Sequence, residues 1–470
     1  MEIKKVKKPF SFGKRALAAA ILYVLGAVLP YAWPISPKRE KTLAMLEAGK
    51  GANSHLKAAI LESGREALFG RLYLIDHAQT EIKIASYLFA ADESGRKIAS
   101  ALLQAADRGV QVKILVDGLI GGFNFHGALL PAALGQHENI EIRYYNPLHL
   151  LLPGRLNARL HDKYLLADDW GLIMGGRNIS DEFLTPESHP DYNSDRDVML
   201  IAEGGKGENA VTGLGGYFDG VWQGDYVSSR FEQAGREEDI ALFREEMDAL
   251  LAEEDREDWY RKIEGEDFFV PVERASLLYN PTNPGRKTPV VWDGLCALME
   301  EAQERIWIQS PYFVLNGQME KTLQSIGDRA SSLKLFTNSM ASGNNIPASA
   351  DGVLQKKRIR AVEGSLYEAQ FPWSTHTKGL LIDWDISIFG SFNFDSRSAY
   401  IDTEVMLVVY SRPLNERLAE CMERVEAGSL LVSGGTYAKK EGLAPQPIGL
   451  IKKLLIYGLS PLVLPIRFLL

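Results

Sequence analysis

The sequence predicts an α/β protein made of two similar halves related by a pseudo-twofold, each a mixed sheet flanked by helices, behind an apolar N-terminal segment. Three observations predict this. The pattern H-x-K-x-x-x-x-D occurs twice, as HDKYLLAD at 161–168 and HTKGLLID at 376–383. Seventeen residues past each His (178 − 161 and 393 − 376) stands an Asn in a glycine-containing turn, Asn178 in GGRN and Asn393 in GSFN. Around each copy, alternating β-branched runs take turns with amphipathic helical patterns, which is how α/β units are written.

The chain has 470 residues, 46% apolar and 24% charged, so it is globular and long enough for two or three domains or one duplicated unit. Its two cysteines, Cys296 and Cys421, cannot form a disulfide framework or a four-thiolate metal site. The formal net charge of −9 is concentrated between Glu232 and Asp267, where fifteen acids face five bases. An acidic balance argues against nucleic-acid binding, which runs on Lys and Arg clusters.

In order along the chain, residues 1–15 form a basic head with Lys4, Lys5, Lys7, Lys8, Lys14 and Arg15 against Glu2. Residues 16–35 predict a transmembrane anchor, because Ala16–Trp33 is uncharged and about 20 apolar residues span a bilayer. The run ends in Tyr31 and Trp33, which suit a membrane interface, and this favours an uncleaved anchor over a signal peptide. The basic head then stays cytoplasmic and the catalytic part lies outside the cytoplasm. Half 1 is expected over 60–230, an acidic and solvated helical linker over 231–268, and half 2 over 269–435. Glu81–Leu88 (EIKIASYL) and Arg305–Phe313 (RIWIQSPYF) are matching strands, followed by Val110–Val116 and Ser332–Thr337. DRDVML at 195–200 and DTEVML at 402–407 close the two copies. Residues 445–470 are an apolar tail with Lys452, Lys453 and Arg467, interrupted by Pro461 and Pro465. Such a tail suits either the headgroup region of a membrane or the protein core.

The chemistry follows from the spacing. If HDK and HTK are strands, positions i and i+2 face one way, so His161 points with Lys163 and His376 with Lys378. Brought together, two ammonium groups and the amides of Asn178 and Asn393 make an anion site suited to a phosphate. Two imidazoles supply a nucleophile and a general acid. Asp197 is expected behind His161 and Glu404 behind His376, each orienting the ring of its own motif. Asp168 and Asp383 close turns, and Gly176 and Ser391 belong to the tight turns before the two Asn. No metal or other cofactor is required, and the remaining histidines form no ligand pattern.

Over about residues 60–430 these motifs resemble the phospholipase D superfamily. GGRNISDEF at 175–183, GSFNFDSRS with DTEV, YFDGVW at 217–222 and LLYNPTNPG at 277–285 are most similar to bacterial cardiolipin synthases, in particular the C-type branch. Asp162 stands where that branch usually has Asn or Arg, and it is expected to face away from the site. The resemblance implies a covalent phosphatidyl-histidine on one motif's His, with the other His protonating the leaving alcohol. It also implies phosphate binding by Lys163, Lys378, Asn178 and Asn393. By analogy with relatives whose N-terminal motif attacks, His161 is the expected nucleophile. Phosphatidylglycerol is the implied acceptor, phosphatidylethanolamine a further substrate, and a bacterial inner or cell membrane the implied location. Phospholipid hydrolysis and phosphodiester cleavage are the alternatives that share the fold.

Overall fold

The structure, a computed structural model, describes residues 10–33, 35–47, 55–121, 129–204, 207–229, 235–359, 365–433 and 436–470. Most of the basic head, residues 1–9, lies outside the described residues.

Two sheets carry the duplication. The first runs in the order Ile140–Tyr145, Gln111–Asp117, Glu81–Ser86, Tyr164–Ala167, Gly171–Gly175, Asp197–Glu203, His55–Leu61, Val270–Val272. In the second, Ser365–Ala369, Ser332–Asn338, Arg305–Gln309, Gly379–Ile382, Ile386–Gly390, Val405–Tyr410 and Arg274–Tyr279 repeat the first seven positions. In each half the first three strands of that order are parallel and the rest antiparallel. The parallel strands are connected through helices such as Glu93–Asp107 and Gly317–Gly327, as parallel pairing requires. The inner faces of both sheets share one core, in which Leu166, Met174 and Leu200 join Trp307, Leu381, Phe389 and Leu407. Helices cover the outer faces. The site is built where the two halves meet.

Two boundaries differ from expectation. Half 1 begins with His55–Leu61, and Val270–Val272 pairs antiparallel with that strand. The passage between halves therefore falls just before Arg274. The acidic segment is helical over Glu237–Ala252 and Arg256–Ile263, but it is more than a solvated joint. Ile240, Phe243, Met247, Leu251 and Ile263 are buried in the outer core of half 1. Glu254 bonds Lys97 and Arg65, and Asp248 accepts from Ser100. The helices are amphipathic, so their apolar positions close the half, Glu254 pairs inward with Lys97, and most of the other acids face outward.

The N-terminal helix Phe10–Val28 has exposed side chains from Gly13 to Leu25, and Gly13–Tyr31 is long and apolar enough to cross a membrane. Its C-terminal end meets the globular part: Asn157 Nδ2 donates to the Ala27 carbonyl at 2.7 Å, and Tyr31, just beyond the helix, donates to the Gly154 carbonyl. The tail forms the helix Leu450–Val463, which continues through Pro461, and a 3-10 turn Leu464–Leu469. One face packs, with Ile456 and Val463 buried against Ala350. The other leaves Leu450, Ile451, Leu454, Leu455 and Leu462 exposed. Arg397 bonds both the Leu469 carbonyl and the Asn157 carbonyl, so the two apolar ends of the chain converge.

Candidate active site

His161–Lys163 and His376–Lys378 lie just before the strands Tyr164–Ala167 and Gly379–Ile382 rather than inside them. The reason is that these stretches pair with the opposite half. Leu160 bridges Thr403, and the His161 amide donates to Thr403 Oγ1 at 3.0 Å. Ser374–Thr375 pairs in parallel with Asn193–Ser194, and the His376 amide donates to the Ser194 carbonyl at 2.7 Å. His and Lys of each motif still converge: Lys163 Nζ donates to the His161 carbonyl at 2.6 Å, and Lys378 Nζ lies 2.8 Å from His376 Nδ1.

That exchange decides which acid stands behind which ring. His161 Nδ1 lies 2.9 Å from Glu404 Oε1, and His376 Nδ1 lies 2.8 Å from Asp195 Oδ2. The expected pairs, Asp197 with His161 and Glu404 with His376, are not formed. Each carboxylate comes from the other half, because each motif's backbone is bonded to the segment that carries it. Asp197 instead faces away from the histidines, bonded to Arg71 at 2.9 Å with Arg177 at 3.6 Å. The acid at His376 is Asp195, two residues earlier.

Gly176 and Ser391 occupy equivalent positions, fifteen residues past each His (176 − 161 and 391 − 376), and serve the two carboxylates differently. A Cβ at 176 would collide with the Asp195 carboxylate, so only glycine admits it. Ser391 Oγ donates to Glu404 Oε2. Asp168 and Asp383 sit at φ +50° and +46° and accept amides of residues 79–81 and 303–305, fastening the start of the strands Glu81–Ser86 and Arg305–Gln309. Asp162 turns away from the rings and accepts the Tyr217 hydroxyl at 2.8 Å.

Asn178 lines the same cavity as His376, and its Oδ1 is buried without a partner. Asn393 donates to the Tyr312 hydroxyl at 3.1 Å, and Tyr312 lines that cavity too. Tyr87 packs edge-on to His161 at 5.5 Å with Lys163 over its ring at 5.2 Å, and Phe183 lies 5.1 Å from His376. Tyr87, Tyr312 and Asp195 were missed by spacing alone. The signal was present, since Tyr87 and Tyr312 stand next to last in the two matching runs EIKIASYL and RIWIQSPYF and both D-x-[DE] segments begin with Asp.

Burial sets the electrostatics. It holds the His161 imidazole well below its usual range, with Lys163 adding to the effect. It lowers His376 to about 4, helped by Lys378. Both rings are therefore neutral in the free protein near pH 7. Asp195 stays ionised well below the usual range although burial opposes this, because Lys378 and the His376 bond favour its charge. Glu404 is drawn up by burial and Lys163 down by it, so the two acid partners differ in kind. Burial brings Lys378 to about 8. Its charge is present below that value and lost above it. For an anionic phosphodiester, kcat/KM should fall as pH rises through about 8, since this ratio reports groups of the free enzyme. A profile flat to pH 10 would contradict Lys378 as an anion ligand.

A family profile described as "Cardiolipin synthase, PLD-like domain" matches residues 72–221 and 295–425, which contain both motifs. "Cardiolipin synthase C" of Escherichia coli (strain K12) is 28% identical over 396 residues, 75% of this chain and 81% of that protein. An "Uncharacterized protein" of Helicobacter pylori (strain ATCC 700392 / 26695) is 25% identical over 419 residues, 82% of this chain and 80% of its own. Among solved structures, the phosphatidylserine synthase of Haemophilus influenzae Rd KW20 superposes with a TM-score of 0.64 at 13% identity, covering 92% of this chain and 100% of that one. It shares the fold. The chain belongs to the phospholipase D-like cardiolipin synthase family of enzymes.

Proposed function

We propose that this protein moves a phosphatidyl group to phosphatidylglycerol through a covalent phosphatidyl-histidine, with phosphatidylglycerol or phosphatidylethanolamine as donor. The observation that carries the proposal is the pair of imidazoles, each tied through Nδ1 to a carboxylate of the opposite half, with two buried lysines beside them. His161 Nε2 attacks phosphorus, and the P–O bond to the leaving alcohol breaks. His376 gives that oxygen a proton. The acceptor hydroxyl then returns a proton to His376 as its oxygen attacks phosphorus, and the P–N bond breaks to free His161. Lys163, Lys378, Asn178 and Asn393 neutralise the non-bridging oxygens as charge builds on them.

The tautomers support this division. Glu404 beside Nδ1 of His161 keeps the ring proton there, which leaves the Nε2 lone pair for attack. Nδ1 of His376 meets the Lys378 ammonium as well as Asp195. With substrate bound, the Asp195 carboxylate at Nδ1 stabilises the imidazolium form of this ring, whose Nε2 proton a leaving oxygen can take. The negative phosphate supplies the charge that raises this imidazole from its low value in the free protein.

Acid-quenched, proteolysed enzyme tests the assignment by mass spectrometry. A phosphatidyl group on the Arg159–Lys163 peptide is expected. An adduct only on Thr375–Lys378 would exchange the two roles, and no adduct on either would end the covalent mechanism.

The membrane supplies the substrate. The exposed N-terminal helix, the outward apolar face of the tail helix and exposed Leu150 and Leu151 beside the Pro153–Arg155 turn support a site held at a bilayer. With the basic head cytoplasmic, a reporter fused after residue 60 should be active outside the cytoplasm. Activity confined to the cytoplasm would reverse the orientation, and a mature chain starting near residue 36 would mean cleavage.

A further inference from the structure

Whether water or an alcohol takes the phosphatidyl group depends on what occupies the space beside the general acid. In an in-line displacement the leaving oxygen departs on the face opposite the nucleophile, and the acceptor must later enter along the same path. With His161 attacking, that path lies at His376. A cavity of about 280 Å³ opens there, between the two halves. Phe183, Phe313, Met340 and Leu366 make part of its wall apolar. Its polar wall carries amides and hydroxyls, among them Asn344, Asn345 and Ser349, and the carboxylates of Glu182 and Glu368, of which Glu368 accepts from the Tyr437 hydroxyl.

Glu182 is out of place in an anion site. It is partly buried close to where a phosphate would bind, and its charge repels one. Its carboxyl is raised by burial and by Asp191, Asp195 and Asp92 around it. The geometry nevertheless holds it in place. Glu182 Oε1 accepts from Asn193 Nδ2 and, at 3.5 Å, from Asn344 Nδ2, while Asn344 Nδ2 also lies 3.3 Å from Asn193 Oδ1. Asn344 comes from half 2 and the other two from half 1, so the cluster is assembled only when the halves meet. An acceptor oxygen held at the mouth of the leaving-group path suits a hydroxyl, which donates to it, and disfavours a second phosphate.

We infer that the cavity beside His376 is the subsite for the alcohol partner, and that Glu182, held by Asn193 and Asn344, orients a hydroxylated headgroup so that it outcompetes water for the phosphatidyl-histidine. The inference rests on the proposed transfer reaction and deepens it. Binding the headgroup's hydroxyl holds its reacting oxygen on the His376 side of the cavity, where it takes the place of water.

The full-length enzyme in vesicles of phosphatidylglycerol, supplied with a phosphatidyl-nitrophenol donor, forms one intermediate that partitions between two products. Cardiolipin marks transfer and phosphatidic acid marks hydrolysis, so their ratio is independent of how fast the intermediate forms. Glu182→Gln should lower the transfer-to-hydrolysis ratio about tenfold, the loss expected for one charge-assisted hydrogen bond. Asn344→Ala should lower it in the same direction. A ratio at the wild-type value in both variants would overturn the inference while leaving the transfer reaction standing. A wild-type enzyme that yields phosphatidic acid alone would remove the transfer reaction itself, and the inference with it.

Discussion

His161→Ala and His376→Ala should each reduce phosphatidyl transfer by about 10³-fold or more, because on the proposed mechanism each removes the one nucleophile or the one acid of a shared site. The double variant should be hardly worse than either single one, since residues that act as a unit are not additive. The two differ with a donor whose leaving group needs no proton. On a nitrophenyl phosphodiester, His376→Ala should still label the Arg159–Lys163 peptide, and His161→Ala should label nothing. Both rings have outer partners but no part in the sheets, so both variants should melt close to wild type. Normal transfer by either variant would rule out one site shared between the halves.

The second large effect separates two acids only two residues apart. Asp195→Asn removes the charge behind His376, so kcat should fall by about 10²–10⁴-fold at temperatures where the variant is fully folded. Asp197→Asn should do the reverse. Asp197 is fully buried with Arg71 and Arg177, and removing its charge leaves two guanidinium groups poorly compensated. A loss on the order of 3 kcal/mol is expected for a broken buried pair. At about 2–4 °C per kcal/mol for a domain of this size, the melting temperature should drop by several degrees, with kcat retained below it. Equal losses of kcat in the two variants at a temperature where both are folded would contradict the cross-half pairing.

The contrast between these acids shows where sequence reasoning stops. DRDVML and DTEVML align Asp197 with Glu404, and a strict repeat would give both the same task. Glu404 does stand behind a histidine, but its counterpart Asp197 does not. Asp402, the counterpart of Asp195, instead takes the Arg159 amide and the Arg397 guanidinium. The duplication is broken by single substitutions next to the acids. Gly176 makes room for Asp195, whereas Ser391 donates to Glu404, and Arg177 fills with buried hydrogen bonds the position that Phe392 fills with apolar packing.

By itself the sequence determined the parts that depend on local pattern and on repetition. The alternation of strands and helices, the two H-x-K motifs with their Asn, the turn-closing aspartates and the apolar N-terminal helix are all set by residues close together in the chain. The tertiary structure alone decided what crosses between halves. The carboxylate behind each ring, the tyrosines and Phe183 that wall the site, and the cluster of Glu182, Asn193 and Asn344 join residues up to 243 positions apart. It also turned the acidic segment from a joint into a covering layer, because its five buried apolar positions find a matching face only on the folded half. The physical reason is the same in each case: periodicity records which way a side chain faces on its own element, while its partner is chosen by the packing of two sheets against one core.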